Sequence, residues 1–336
     1  MTAQDGDWQQ ALDALAGSIL PGGRATSVTR VSGGASQAIW AFDAETADAR
    51  EPLIMRLAGA WNQSDELGAL GLDTEAAVVD AVADCGVPVP HVRLRLQPDD
   101  GLGVGYVMDR IDGETIPRRI LRDAEYAGAR ERLAAQCADV LARIHAVPTA
   151  ALPAAVPRPD IATQLDDQYA EYRAQGVPRP VFEYAFRWLR ENRPPDPDAP
   201  VLLHGDFRNG NFVVGAEGLR AVLDWEVAHV GDPMEDIGWI CVNSWRFGNM
   251  DKPVGGFGDR DAFYAAYRAA GGAPVDRERV HYWEVYGTLR WGVICGSMAR
   301  AYREGRDRSV ERAAIGRRAS ETAIDLLRLL VPIRSA

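Results

Sequence analysis

Apolar and polar positions divide the chain into two stretches of different rhythm. Trp8, Leu12, Leu15 and Ile19 recur at the three- and four-residue spacing of one helix face, so an amphipathic helix opens the chain. The stretches 25–31, 37–42 and 52–57 are short, β-rich and separated by turn-forming residues, which predicts three antiparallel strands. Asp73 or Thr74 then offers an N-cap, Val78, Val82 and Cys85 follow at helical spacing, and Gly86, Pro88 and Pro90 end that helix. Two further strands, 92–96 and 103–108, flank the turn Pro98-Asp99-Asp100-Gly101. Beyond them Leu133, Cys137, Val140, Leu141 and Ile144 line one stripe of a long helix over 124–147. Most of the remainder reads as helix, apart from a β-like island at 201–223 that a proline-rich connector, Pro194 to Pro200, delivers.

The change of rhythm predicts an α+β protein of two lobes: a small antiparallel-sheet lobe over 1–110, a linker at 109–113, and a larger, mainly helical lobe over 114–336. At 336 residues and 47% hydrophobic content the chain has material for both cores. No run approaches the roughly 18 consecutive apolar residues of a membrane span. Asp5 and Asp7 stand where a signal peptide would carry positive charge, so a cytoplasmic protein without a membrane partner is expected. The net charge of −11, with arginines interleaved among acids, argues against a nucleic-acid partner. Cys85, Cys137, Cys241 and Cys295 lie far apart without metal-ligand spacing and are expected as buried thiols. Lys252 is the only lysine, so chemistry that needs a lysine must use that one.

The most informative stretch runs Val201-Leu202-Leu203-His204-Gly205-Asp206-Phe207-Arg208-Asn209-Gly210-Asn211-Phe212, followed by Leu223-Asp224-Trp225-Glu226. Apolar strands on either side of a polar loop place Asp206 and Asn211 at a rigid rim. Phosphoryl transfer needs a carboxylate to orient a hydroxyl, hard oxygen ligands for magnesium and counter-charge on the phosphates. Asp206 suits the first role. Asn211 and Asp224 suit the second, because magnesium takes a few oxygen ligands from protein together with substrate phosphates.

These motifs, with the later Gly231-Asp232-Pro233-Met234-Glu235-Asp236, resemble the aminoglycoside phosphotransferase and choline-kinase-like family, and especially its branch found with acyl-CoA dehydrogenases. The resemblance covers roughly residues 25 to 300 and implies a bilobal protein-kinase-like fold. It also implies transfer of the terminal phosphate of ATP or GTP, with Mg2+, to a hydroxyl of a small molecule. Within it, Ser32-Gly33-Gly34-Ala35-Ser36 stands where the family has its loop over the phosphates, giving Gly33, Gly34 and Ser36 as nucleotide-binding candidates. Arg56 stands where kinases carry a phosphate-binding lysine, and Glu75 matches the acid that pairs with it. Asp109 and Ile111 match the linker whose backbone hydrogen-bonds adenine. Asp206 is the implied base, and Asn211 and Asp224 the implied metal ligands. Arginine at position 56 departs from the general kinase pattern: its charge is permanent, but it forks where an ammonium is a point.

Structural readings compete at several positions. His204 is expected to hold the loop's shape, and Asp232 and Glu235 to form a capping box around Pro233. His145 reads as a helix-end residue. The aromatics Trp239, Trp245, Tyr282, Trp283, Tyr286 and Trp291 read as core, with Trp245 and Trp291 as candidates for an acceptor pocket. Three rival functions stay open: an antibiotic phosphotransferase, a non-catalytic nucleotide-binding module, and a metal-dependent hydrolase using His204 and Asp206. The leading acceptor is a hydroxyacyl metabolite, which the resemblance alone suggests.

Overall fold

The computed structural model describes residues 3–31, 37–58, 69–306 and 309–331. Helix α1 (Ala3–Ile19) precedes the strands β1 (Arg24–Val31), β2 (Gln37–Glu45) and β3 (Arg50–Ala58). Helix α2 (Leu72–Asp84) then crosses to β4 (Val92–Leu96) and β5 (Gly105–Asp109). All five strands form one antiparallel sheet in the order β1-β2-β3-β5-β4. The register sets Arg56 opposite Ile39 on one side and Tyr106 on the other. One face of the sheet buries Phe42, Leu53, Met55 and Val107 against Leu12 and Leu15 of α1, as the alternation of the strands requires.

The helical lobe follows: α3 (Pro117–Arg122), α4 (Ala127–His145), α5 (Ile161–Ala174) and α6 (Pro180–Glu191). The β-like island resolves into β6 (Val201–Leu203), β7 (Phe212–Gly215), β8 (Gly218–Val222) and β9 (His229–Gly231). Strand β6 pairs with β9, and β7 with β8, as two small antiparallel ribbons. Helices α7 (Pro233–Ile240), α8 (Arg260–Ala269), α9 (Arg277–Arg303), α10 (Val310–Gly316) and α11 (Ala319–Leu330) complete the chain. No helix among the described residues is long and apolar enough to cross a membrane.

Three local expectations are corrected. Helix α2 begins at Leu72 with Gly71 as N-cap, so Asp73 and Thr74 are already inside it; Asp73 complements the helix dipole instead. Asp232 does cap α7, accepting from the Met234 N–H, but Glu235 turns away to His229 and closes no box. Cys85 is exposed at the C-cap of α2, whereas the other three cysteines are buried. Helix α2 also joins the two lobes: Val78, Val79 and Val82 pack into the core of the helical lobe, while Leu72 and Ala76 meet Tyr106 of the sheet.

The segment after β5 is fastened to β7 by backbone. Glu114 and Val214 exchange both N–H to O=C bonds, at 2.9 and 3.0 Å. Gly113 makes this approach possible: its φ is +152°, and a Cβ there would lie 2.6 Å from Val213 Cγ1 and 2.9 Å from the Val214 carbonyl. Gly113→Ala should therefore lose about 1–3 kcal/mol of stability. Gly22→Ala, at φ +78° with nothing within 4 Å, is the control for backbone strain alone and should cost less. Urea unfolding of the two variants checks the ranking.

Candidate active site

The loop at 204–211 is held from both ends. Leu203 closes β6, while Phe207 and Phe212 are fully buried with ring centroids 4.9 Å apart and buried Asn209 donates to the Gly255 carbonyl at 3.2 Å, so the loop is pinned inward and Asp206 and Arg208 stay partly exposed. Asp206 Oδ1 accepts from Arg208 Nε and from Trp239 Nε1, both at 2.8 Å. Asn211 Nδ2 donates to Asp206 Oδ2 at 2.7 Å and to the Asp206 carbonyl at 3.0 Å. The Asn211 amide oxygen is thereby directed away from Asp206.

His204 is a brace. Its Nδ1 accepts from the Asp206 N–H at 3.1 Å and its Nε2 donates to the Leu223 carbonyl at 3.0 Å, a pattern only the neutral imidazole satisfies. Burial pushes its pKa down, outweighing the opposite pull of Asp236 and Asp206. Asp236, fully buried on α7, accepts the His204 N–H at 2.8 Å and the Gly205 N–H at 2.9 Å. His145 Nε2 lies 3.4 Å from the same carboxylate, and the Tyr267 hydroxyl donates to His145 Nδ1 at 2.6 Å. Burial alone would raise the Asp236 pKa, but these donors, His145 first, hold it below the usual carboxylate value.

The second turn is locked to the first by the Leu223 N–H, which donates to the Asn211 carbonyl at 2.8 Å. Asp224 follows at φ +70°, a left-handed conformation uncommon for aspartate. Arg56 reaches it from β3: Nη1 pairs with Glu75 Oε1 at 2.7 Å and Nη2 with Asp224 Oδ1 at 3.1 Å. Arg56 and Glu75 are both buried, with exposures of 6% and 0%. Burial works to lower the Arg56 pKa, but Glu75, Tyr106, Asp224 and Glu226 together raise it. One guanidinium thus joins the sheet, helix α2 and the turn after β8.

Asn211 and Asp224 fit a magnesium ion. Each keeps a hard oxygen clear of its protein partner, on turns whose backbones are hydrogen-bonded together, and Asp224 is half-exposed toward solvent. Among the described residues no cluster of three His, Cys, Asp or Glu side chains could hold a metal alone, so phosphate oxygens would complete the shell. At the linker, the Asp109 side chain is taken up by Arg93 at 2.8 Å and its N–H by the His91 carbonyl. Ile111 is half-exposed. Gly33, Gly34 and Ser36 lie outside the described residues.

A family model described as the phosphotransferase enzyme family matches residues 27–283. The chain belongs to this family. The family and its solved neighbours are small-molecule kinases and phosphotransferases, so this chain is an enzyme of that class. Acyl-CoA dehydrogenase family member 11 of Gallus gallus is 32% identical over 183 residues, half of this chain but 22% of that protein. A Ralstonia eutropha structure assigned to the aminoglycoside phosphotransferases superposes with a TM-score of 0.72 at 21% identity, covering 95% of this chain and 97% of that one. A ternary complex of an aminoglycoside phosphotransferase with ADP and hygromycin B gives 0.63 at 14% identity, covering 96% and 99%. Both likenesses establish the kinase-like fold.

The structure thus brings Arg56, Glu75 and Asp224 into one ion-paired group and joins Asp206 to Asn211. Sequence reading missed two contributors: Trp239 looked like core, and Arg208 was not singled out, although its place two residues after Asp206 was the available signal. Asp236, expected as a structural residue, braces the backbone of His204 and Gly205. Because the folded pKa of Asp236 is lowered from 3.8, its contribution to stability is complete above that value and is lost as pH falls through the folded pKa. Asp236→Asn should cost about 1–3 kcal/mol per backbone N–H left poorly paired. The gap to wild type should stay flat from neutral pH to about pH 5 and narrow below about pH 4. Urea unfolding across that range measures it, and a gap that holds to pH 3 contradicts the assignment.

Proposed function

We propose that this enzyme transfers the γ-phosphate of ATP or GTP to a hydroxyl of a small anionic metabolite, with a hydroxyacyl compound as the leading acceptor. The observation that carries the reading is the convergence of Asp206, Asn211 and Asp224 on two turns tied together by the Leu223-to-Asn211 and His204-to-Leu223 hydrogen bonds. Asp206 orients the acceptor hydroxyl and takes its proton. Asn211 and Asp224 hold magnesium, which when bound neutralises charge on the phosphate oxygens. Arg56, steadied by Glu75, positions the nucleotide, and the backbone near Asp109 and Ile111 faces adenine; the family resemblance makes Gly33, Gly34 and Ser36 the further nucleotide-binding candidates. Electrostatic positioning supplies most of the acceleration. The ADP held by the hygromycin-bound neighbour supports a nucleotide donor.

The character of the wall beside Asp206 supports an anionic acceptor over a polycationic antibiotic. Trp239, Trp245 and Trp291 form one cluster there, and guanidinium groups lie over all three rings: Arg290 over Trp239 at 5.1 Å, Arg208 over Trp245 at 4.5 Å and Arg318 over Trp291 at 5.8 Å. An aminoglycoside site would need acids in these places. The name of the Gallus gallus relative supports acyl chemistry, though this chain spans under a quarter of its length.

Incubation with ATP or GTP, magnesium and a pooled panel of hydroxy acids, their thioesters and aminoglycosides, read by mass spectrometry, should show one added phosphate on an anionic member. Phosphorylation confined to aminoglycosides overturns the acceptor class. Asp206→Ala should fold normally and lose on the order of 10²- to 10⁴-fold in turnover. Asp224→Ala should abolish magnesium-dependent nucleotide binding, read by calorimetry with and without the metal; unchanged affinity removes the metal role.

A further inference from the structure

We infer that Trp239 is a positioning residue for Asp206: its indole N–H ties down Oδ1 and so presents Oδ2 to the acceptor hydroxyl. The inference rests on the reading of Asp206 as the base and adds a residue that neither the motif nor the family match assigns. Buried indole N–H groups commonly take a backbone carbonyl as partner, and in this cluster those of Trp245 and Trp291 have no hydrogen-bond partner among the described residues. The Trp239 N–H donates instead to the catalytic carboxylate, at 2.8 Å.

Helix α7 makes this geometry repeatable. Asp236 and Trp239 are three residues apart and so share one face. The first accepts the backbone N–H groups of His204 and Gly205, and the second holds the side chain of the next residue, Asp206. The indole is itself confined. Trp245 packs against it with centroids 5.2 Å apart, and the Arg290 guanidinium lies over it while donating to the Gly205 carbonyl at 3.1 Å. From α9, Gly287 leaves the room the ring occupies, because a Cβ there would stand 2.9 Å from Trp239 Cε3 and 3.1 Å from Val242 Cγ2.

The consequence is an asymmetry between the two oxygens of one carboxylate. Oδ1 accepts from both Arg208 Nε and Trp239 Nε1, whereas among the described residues Oδ2 accepts from Asn211 alone. A carboxylate oxygen accepts about two hydrogen bonds, so Oδ1 is filled and Oδ2 retains one place. That place is where the acceptor hydroxyl donates. Arg208 is partly exposed and long, with many rotamers; Trp239 is 5% exposed and has few. The rigid donor, rather than the flexible one, sets the carboxylate's plane.

Trp239→Phe in the full chain keeps the ring and deletes the N–H. Turnover should fall on the order of 10- to 100-fold, both for MgATP hydrolysis with water as acceptor and for the acceptor identified above. The nucleotide KM should stay within about twofold and the thermal midpoint close to wild type, a split that loss of packing would not give. Gly287→Ala, which displaces the ring, should lower kcat less and add nothing in the Trp239→Phe background. In a two-dimensional 15N–1H spectrum, the indole resonance missing from Trp239→Phe identifies Trp239, and it should move upfield in Asp206→Ala. An unmoved resonance, unchanged turnover in Trp239→Phe, or a turnover loss matched by equal losses in nucleotide affinity and midpoint overturns the inference. Undiminished turnover in Asp206→Ala would instead sink the base assignment, so the two failures are separable.

Discussion

The buried carboxylate of Asp236 is the constraint on which the catalytic region depends. It has no access to water, so its charge is tolerable only because two backbone N–H groups and the His145 ring are delivered to it. Delivering them fixes residues 204 and 205 on helix α7, and His204 carries the fixation onward to Leu223 and to the Asp206 N–H. Removing any one donor leaves a group that water cannot reach to compensate. The polar chain from Tyr267 through His145 and Asp236 to His204 is therefore one unit, and it turns two loops into a rigid frame.

A second constraint crosses between the lobes. Arg56 and Glu75 form a pair that buried hydrophobic residues could match for stability, since desolvation offsets most of the Coulombic gain. What the pair specifies is geometry. A lysine would present a single point of charge, whereas the fork engages Glu75 with one amino group and Asp224 with the other. That second contact helps hold Asp224 at φ +70°, a conformation that costs of order 1 kcal/mol or more when nothing stabilises it. In a chain with a single lysine, far away at position 252, arginine accomplishes both tasks from one strand position.

Much of this was readable before any coordinates. Short β-rich runs between turns gave the antiparallel strands, and the motif around Asp206 pointed to a loop between strands. What stayed hidden were contacts that no local pattern encodes. The partner of Trp239 depends on how α7 packs against a loop some thirty residues earlier, and indoles at helical spacing look the same whether their N–H faces a carbonyl or a side-chain carboxylate. Glu235 stood in the correct place for a capping box, yet the imidazole of His229 at 3.3 Å won its side chain. The N-cap of α2 slipped to Gly71 because the buried face of that helix, Leu72, Ala76 and Val79, starts earlier than its polar signals.

The distribution of charge bears on the chemistry itself. On the proposed reading, a triphosphate brought against Asp206 and Asp224 adds anions to anions, and like charges about 4 Å apart at an effective dielectric near 20 repel by roughly 4 kcal/mol. The protein as a whole is acidic, so relief has to be local. It is supplied by Arg56 on Asp224, Arg208 on Asp206, and Arg290 on the carbonyl of Gly205. Arg56 and Arg290 are oriented by protein contacts before a ligand arrives, so little reorganisation is left there for the proposed transfer. Two of the three also lie against the indoles beside Asp206, Arg208 over Trp245 and Arg290 over Trp239. On the proposed reading, the same guanidinium groups that would ease the approach of the phosphates make that wall a poor host for a cation, and the proposed preference for an anionic acceptor follows from the proposed electrostatics of transfer rather than from a separate specificity device.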